Sequence, residues 1–104
     1  MKLAIVVPVL NEAATLVARL QALAPLRSRG AELLVVDGGS SDGTMAMAQP
    51  LADRVLQAPR GRASQLNAGA AATRADVLLF LHADTQLPED ADRLIGQALA
   101  SGHR

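Results

Sequence analysis

The segment Asp76–Thr85, which reads D-V-L-L-F-L-H-A-D-T, decides the fold. Val77 to Leu81 is apolar at every position, which predicts a central strand of a parallel sheet covered on both faces. The strand is followed by His82, Asp84 and Thr85, at the edge where open α/β sheets bind their ligands. Asp84 is a candidate ligand for a divalent cation, because hard cations prefer carboxylate oxygens. The alternative is that Asp84 and Thr85 only begin a turn.

Apolar runs alternate with segments of helical spacing along the whole chain, which predicts a parallel sheet with right-handed crossovers. The predicted strands are Leu3–Val9, Glu32–Asp37, Arg54–Gln57 and Asp76–Leu81. Four helices are predicted. The first is capped by Asn11, has Glu12 in its first turn and is ended by Pro25, and the next two are Thr44–Leu51 and Ala63–Thr73. The last begins at Pro88, with Glu89 and Asp90 in its first turn, and its inward-facing residues are Leu94, Ile95, Ala98 and Leu99.

The composition excludes several classes of protein. The 104 residues carry ten basic and ten acidic side chains, so no basic footprint for nucleic acid is visible. Phe80 is the one aromatic residue, which leaves no stacking platform for bases, and without cysteine there is no disulfide or thiolate site. The apolar run Leu3 to Leu10 is too short to span a bilayer. We therefore expect a single cytoplasmic domain over residues 1–104.

Three polar clusters are expected to meet at one edge of the sheet, because every strand-to-helix turn lies there. They are Pro8–Glu12, Asp37–Thr44 and His82–Thr85, with Arg60 and Arg62 reaching in from the third connection. Glycines in the second cluster let the backbone approach a ligand, and exposed amides at a helix start can receive an anion. Each cluster also has a structural explanation: capping of the next helix for the first two, a solvated turn for the arginines and a polar strand end for His82.

Two common nucleotide-binding patterns are absent from the expected positions. The first strand is followed by P-V-L-N-E rather than G-x-G-x-x-G, and the chain has no glycine-lysine P-loop. No serine has the context of a nucleophile elbow. An NAD-binding domain, a P-loop NTPase and a serine hydrolase are therefore not indicated.

Four motifs in order resemble the signatures of family 2 glycosyltransferases. They are I-V-V-P-V-L-N-E (5–12), L-V-V-D-G-G-S-S-D-G-T (34–44), G-R-A-S-Q-L-N-A-G-A (61–70) and L-H-A-D-T (81–85). Their wording is most similar to the subgroup called radical-SAM/selenodomain-associated transferase 2. The resemblance covers almost the whole chain.

The resemblance implies a GT-A, Rossmann-like fold, mostly a parallel sheet with helices on both faces, that binds a nucleotide-diphosphate sugar (a UDP- or GDP-sugar) with Mn²⁺ or Mg²⁺. Asp84 would be the metal-binding end of the D-x-D motif, and His82, in the place of its first acid, is the second candidate for the metal. Where the family commonly has a second acid after Asp37, this chain has Gly38. The residues assigned to the donor nucleotide are Pro8, Val9, Asn11, Glu12, Asp37, Gly38, Gly39 and Arg62.

The chain ends one helix after the D-x-D region, before the segment that binds the acceptor and supplies the catalytic base in the family. We therefore expect the nucleotide-binding half of a transferase, with no catalytic base to nominate and enzymatic activity left open. The alternative is a non-catalytic nucleotide-binding or assembly module. In either case pairing with a second copy would cover the edge of the sheet that the missing half leaves exposed.

Overall fold

Four parallel strands form the sheet at the centre of the protein. The computed structural model describes residues 2–82, 87–88 and 90–100. The strands are β1 (Leu3–Val9), β2 (Glu32–Asp37), β3 (Arg54–Gln57) and β4 (Val77–Phe80), in the order β3-β2-β1-β4 across the sheet. The predicted strands are confirmed to within one residue at each end. Because all four strands are parallel, they end at the same edge of the sheet.

Five helices and one 3-10 turn connect or follow these strands. They are α1 (Ala13–Gln21), α2 (Ala24–Ser28), α3 (Thr44–Ala48) with the 3-10 turn Gln49–Leu51, α4 (Arg62–Ala71) and α5 (Ala91–Ala100). Pro25 does not end a helix as predicted but lies in the first turn of α2, where a missing N–H costs no hydrogen bond. None of the helices in the described ranges is long and apolar enough to cross a membrane.

The last helix differs from the prediction at its start and on its inner face. It begins at Ala91 rather than Pro88, so Asp92 takes the place in the first turn that was predicted for Asp90; Glu89 lies outside the described residues. Ile95 packs against the core, but Leu94 is 45% exposed, so its prediction as an inward-facing residue is wrong.

The two faces of the sheet carry different cores. The side chains at odd positions of β1 pack with Leu16 and Leu20 of α1 and with Leu26 of α2. On the opposite face Val6 and Val36 pack beneath α4, a helix of mainly small residues that lies close to the strands. Helices therefore cover both faces of β1 and β2, which explains why these strands are apolar throughout.

The strand β4 is not the central strand that its apolar run predicted. In the described part of the chain it pairs with β1 alone and forms the edge of the sheet. Val77 and Leu79 pack into the core, whereas Leu78 and Phe80 are 38% and 49% exposed. Leu78 and Phe80 are exposed because α4 packs on β1, β2 and β3 and does not extend over the face of β4 that carries these two side chains.

The carboxylate of Asp53 joins β3 to its neighbours. Its Oδ2 accepts the Leu33 amide at 2.7 Å, and its two oxygens accept the Arg27 guanidinium at 3.1 and 3.2 Å. Partial burial raises the pKa of Asp53, but the hydrogen bonds from Arg27 and Leu33 outweigh it, so the pKa lies below the ordinary value. Asp92 at the start of α5 likewise has a lowered pKa, mainly because Arg29 donates to it.

These lowered pKa values predict a loss of stability in acid. The unfolded chain takes up protons on these carboxyls at a higher pH than the folded chain does, so the free energy of unfolding is level above about pH 5 and falls as the pH drops below about 4. Urea unfolding measured between pH 7 and pH 2.5 checks this. The Asp53→Asn variant should lose less stability than wild type over the acid range, and equal losses would contradict the prediction.

Candidate nucleotide site

The loops after β1 and β2 are bonded to each other at the carboxyl edge of the sheet. The Asn11 amide donates to Ser40 Oγ at 2.8 Å, and Asn11 Oδ1 accepts the Ser41 amide at 2.8 Å. Asn11 has a φ of 50°, a left-handed conformation that asparagine tolerates better than most residues. The predicted convergence of the first two polar clusters is therefore confirmed.

The start of α1 is capped from the second loop and not by Asn11. Glu12 occupies the N-cap position, its amide donates to Thr44 Oγ1 at 2.9 Å, and the Ala13 amide donates to Asp42 Oδ2 at 3.2 Å. The predictions that Asn11 is the N-cap and that Glu12 lies in the first turn are both wrong. The physical reason is that side chains about thirty residues away supply the acceptors that a local cap would otherwise provide.

Asp42 also bonds the start of α3. Its Oδ1 accepts the Thr44 amide at 3.0 Å and the Thr44 hydroxyl. The hydrogen bond from the Thr44 hydroxyl is the main reason why the pKa of Asp42 lies below its ordinary value. The structural explanation of this loop, a cap for the following helix, is thus confirmed for Asp42, which caps two helices at once.

Asp37 organises the loop that follows β2. Its side chain is 1% exposed, and its carboxylate accepts the Gly39 amide at 2.9 Å, the Ser40 amide at 2.8 Å and the Ser40 hydroxyl. Gly39, with φ of 103°, turns the chain so that both amides point back at the carboxylate. The shape of the loop after β2 therefore depends on Asp37. A contact between Asp37 and a nucleotide stays a prediction.

A cavity of about 140 Å³ lies beside these loops. Among the residues assigned from the sequence, it is lined by Pro8, Val9, Glu12, Arg62 and His82. The assigned residues that do not line it are Asn11, Asp37, Gly38 and Gly39, which shape the neighbouring loops, and Arg60 does not line it either. The structure therefore brings strand ends, the start of α4 and His82 around one concave surface.

Gln65, a residue of the motif at 61–70, also lines this cavity, although no role in the site was predicted for it. Its side chain is 5% exposed; Nε2 donates to the carbonyls of Val9 and Val36 at 3.0 and 2.9 Å, and Oε1 accepts the Gly61 amide at 3.2 Å. The amide thus joins the ends of β1 and β2 to the start of α4. A glutamine on the sheet-facing side of a helix of small residues was the available signal.

The two candidate metal ligands lie only partly within the described residues. The described residues contain no group of three or more histidine, aspartate or glutamate side chains that could hold a metal ion. Asp84 and Thr85 lie outside the described ranges, so the predicted ligand Asp84 stays a prediction. His82 is exposed and shares the cavity with Glu12, which puts an imidazole and a carboxylate around the same space.

A larger cavity, of about 530 Å³, lies at the opposite edge of the sheet. Its charged lining residues bond to one another, since Arg29 bonds Asp92 at 2.9 Å and Arg93 bonds Asp90 at 2.6 Å. The Arg29–Asp92 pair fastens α5 to the turn after α2, whereas the Arg93–Asp90 pair lies within the segment that begins α5. We place the ligand site at the other edge, where open α/β sheets bind their ligands.

The protein belongs to glycosyl transferase family 2, whose family model matches residues 4–102. Together with the parallel sheet and its covering helices, this membership identifies the fold as GT-A. The sequence prediction of the family and of the fold class is therefore confirmed.

Individual relatives are much longer than this chain. Over 94% of its length the chain is 37% identical to the succinoglycan biosynthesis protein ExoA of Rhizobium meliloti (strain 1021), of which it covers 33%. It superimposes with a TM-score of 0.81 and 27% identity on the glucosyl-3-phosphoglycerate synthase of Mycobacterium tuberculosis in complex with Mn²⁺, UDP-glucose and phosphoglyceric acid, covering 97% of this chain and 40% of the synthase. Mannosyl-3-phosphoglycerate synthase from Rubrobacter xylanophilus, at 23% identity and a TM-score of 0.78, shares the fold; this chain covers 36% of it, with 95% of its own length matched.

Proposed function

We propose that residues 1–104 form one domain that binds the nucleotide-diphosphate sugar of a glycosyltransferase reaction, together with a divalent cation. The observation that carries the proposal is the cavity at the carboxyl edge of the sheet, where Pro8, Val9, Glu12, Arg62 and His82 come together. Similarity to a synthase crystallised with Mn²⁺ and UDP-glucose supports the same class of ligand. The proposal includes membership of the radical-SAM/selenodomain-associated transferase 2 subgroup, which the D-G-G-S and L-H-A-D-T motifs suggest.

The site residues divide into two groups under this proposal. Pro8, Val9 and Glu12 line the nucleoside part, while Asp37 and Asn11 hold the two loops in the shape that the nucleoside meets. Arg62, at the first position of α4, places a guanidinium beside the cavity, where it suits the negative charge of a diphosphate.

Asp84 and His82 are the residues that would hold the cation. A carboxylate oxygen suits Mn²⁺ or Mg²⁺, and an imidazole is a weaker match for these ions, so Asp84 is the principal ligand in this proposal. A bound cation would supply charge stabilisation to the diphosphate leaving group. The residues of this chain bind and orient the donor in this proposal, and none of them is assigned to the acceptor or to the catalytic base.

A thermal-shift titration with UDP and GDP, with and without Mn²⁺, tests the donor site. A ligand at a hundred times its Kd adds about 2.7 kcal/mol to the free energy of unfolding, which for a domain of this size raises Tm by about 10 °C or more. We expect a Mn²⁺-dependent rise for wild type that is lost in Asp84→Ala. Asp90→Ala is the matched control, because Asp90 lies at the other cavity, and it should keep the rise.

The outcome also separates the proposal from its alternative. A nucleotide-dependent rise combined with transfer of the sugar to water or to an acceptor supports a transferase, and binding without turnover supports a non-catalytic module. The exposed side chains of Leu78 and Phe80 support an assembly role for such a module, because a second copy of the chain would cover them. A folded protein with no response to either nucleotide would refute the donor-binding proposal.

A further inference from the structure

The amide group of Gln65 lies against Gly38 where a side chain at position 38 would begin. A Cβ built on Gly38 would lie 2.8 Å from Gln65 Oε1, 2.9 Å from Cδ and 3.1 Å from Nε2. These distances are shorter than ordinary van der Waals contacts, so a residue larger than glycine at position 38 requires the amide to move. The two positions therefore compete for one volume.

The Gln65 amide is held too firmly to give way at little cost. Both of its N–H donors are engaged, one by the Val9 carbonyl at the end of β1 and one by the Val36 carbonyl in β2. The Gly38 amide donates to the same Val9 carbonyl at 3.0 Å. Displacing Gln65 would leave buried carbonyl groups without these donors, which is costly in a protein interior.

We propose that Gln65 and Gly38 together set the depth of the pocket that receives the nucleobase, and so determine which base is accepted. The inference rests on the proposed function, because it assigns the cavity to a nucleoside. Gln65 lines that cavity together with the end of the strand that contributes Pro8 and Val9. With glycine at position 38, the base meets this fixed amide rather than a side chain that projects from the loop.

The measured quantity is the ratio of the Kd of GDP to the Kd of UDP, determined by calorimetric titration on the full chain with Mn²⁺. The shorter side chain in Gln65→Ala makes room for the second ring of guanine, so the ratio of the Kd of GDP to the Kd of UDP should fall by about tenfold. In Gly38→Ala the new methyl group pushes the amide into the cavity, so the ratio should rise. In the double variant the methyl group meets no amide, and the ratio should lie within about twofold of that of Gln65→Ala.

Two further variants separate selectivity from stability. Leu66→Ala removes a side chain of the same helix that packs onto the buried core and does not line the cavity, so it should lower Tm and leave the Kd ratio unchanged. Gln65→Asn, one methylene shorter and still an amide, keeps the test in use if Gln65→Ala does not fold, and it should lower the ratio in the same direction.

The measurements distinguish a failure of the donor-binding proposal from a failure of the proposal that Gln65 and Gly38 select the base. A wild-type protein that binds neither nucleotide refutes the proposed function and this inference with it. If wild type binds but the Kd ratio is the same in both Gln65 variants, the donor site stands and the inference is wrong. An effect of Gly38→Ala that is equal with Gln65 and with alanine at position 65 also overturns it.

Discussion

Replacing Gly69 by alanine is expected to destabilise the protein by about 2–3 kcal/mol, which corresponds to a fall in Tm of about 10–20 °C. Gly69 lies on the face of α4 that rests on the sheet, and a Cβ there would lie 2.3 Å from Val6 Cγ1 and 3.3 Å from Val36 Cγ2. Valine has a stiff χ1 angle, and both valines are fully buried, so neither can turn away. The clash outweighs the gain of about 1 kcal/mol in helix propensity.

Two comparisons isolate the cause of this effect. The Gly43→Ala change puts a Cβ 3.9 Å from its nearest neighbour, an ordinary contact, so its effect on Tm should be much smaller. In a Val6→Ala background the Val6 methyl groups, which lie closest to the new Cβ, are gone, so the added cost of Gly69→Ala should shrink. Urea unfolding of the wild type, the three single variants and the double variant measures these differences, and equal costs of Gly69→Ala in both backgrounds would refute the packing argument.

The Asp37→Ala variant is expected to lose about 2–3 kcal/mol of stability and, with it, the ordered loop before α3. Alanine removes both carboxylate oxygens, so three donors lose the acceptor that they have in the wild-type protein. Those donors are the Gly39 and Ser40 amides and the Ser40 hydroxyl, and the site is almost closed to water. Because Ser40 also bonds Asn11, the change should reach the loop after β1 and abolish nucleotide binding.

Chemical denaturation and nucleotide titration of Asp37→Ala check the two parts of this expectation separately. Asp90→Ala is the matched control, since Asp90 makes its ion pair at the surface, where such pairs add little stability. Ser40→Ala removes the hydroxyl, which donates to Asp37 and accepts the Asn11 amide, but it leaves both backbone amides on Asp37, so it should cost less than Asp37→Ala. Retention of wild-type stability by Asp37→Ala would show that the loop does not depend on the carboxylate.

Local patterns in the sequence were sufficient to predict where the strands lie and at which edge of the sheet the first two polar clusters meet. Apolar runs as uniform as Leu33–Val36 arise in buried strands, and their turns then fall at one edge of a parallel sheet. The same reasoning failed for the order of the strands. An apolar run does not determine which strands pair, so Val77–Phe80 had the composition of a central strand and lies at the edge of the described sheet.

The residues that fix the candidate site were harder to foresee because they act across the chain. Asn11 looked like a helix cap, but the cap of α1 comes from Asp42 and Thr44, which only the folded sheet brings near. Gln65 is one of several polar residues in α4, and its partners lie 29 and 56 residues away. Such contacts leave no periodic pattern in the sequence.

The capping of α1 from the loop after β2 also bears on the order in which the chain folds. A helix whose first amides find acceptors nearby can close its first turn alone, whereas the first amides of α1 gain their acceptors only when the loops after β1 and β2 come together. Bringing these loops together carries the entropic cost of a long loop. We therefore expect the candidate site to form after β1 and β2 have paired.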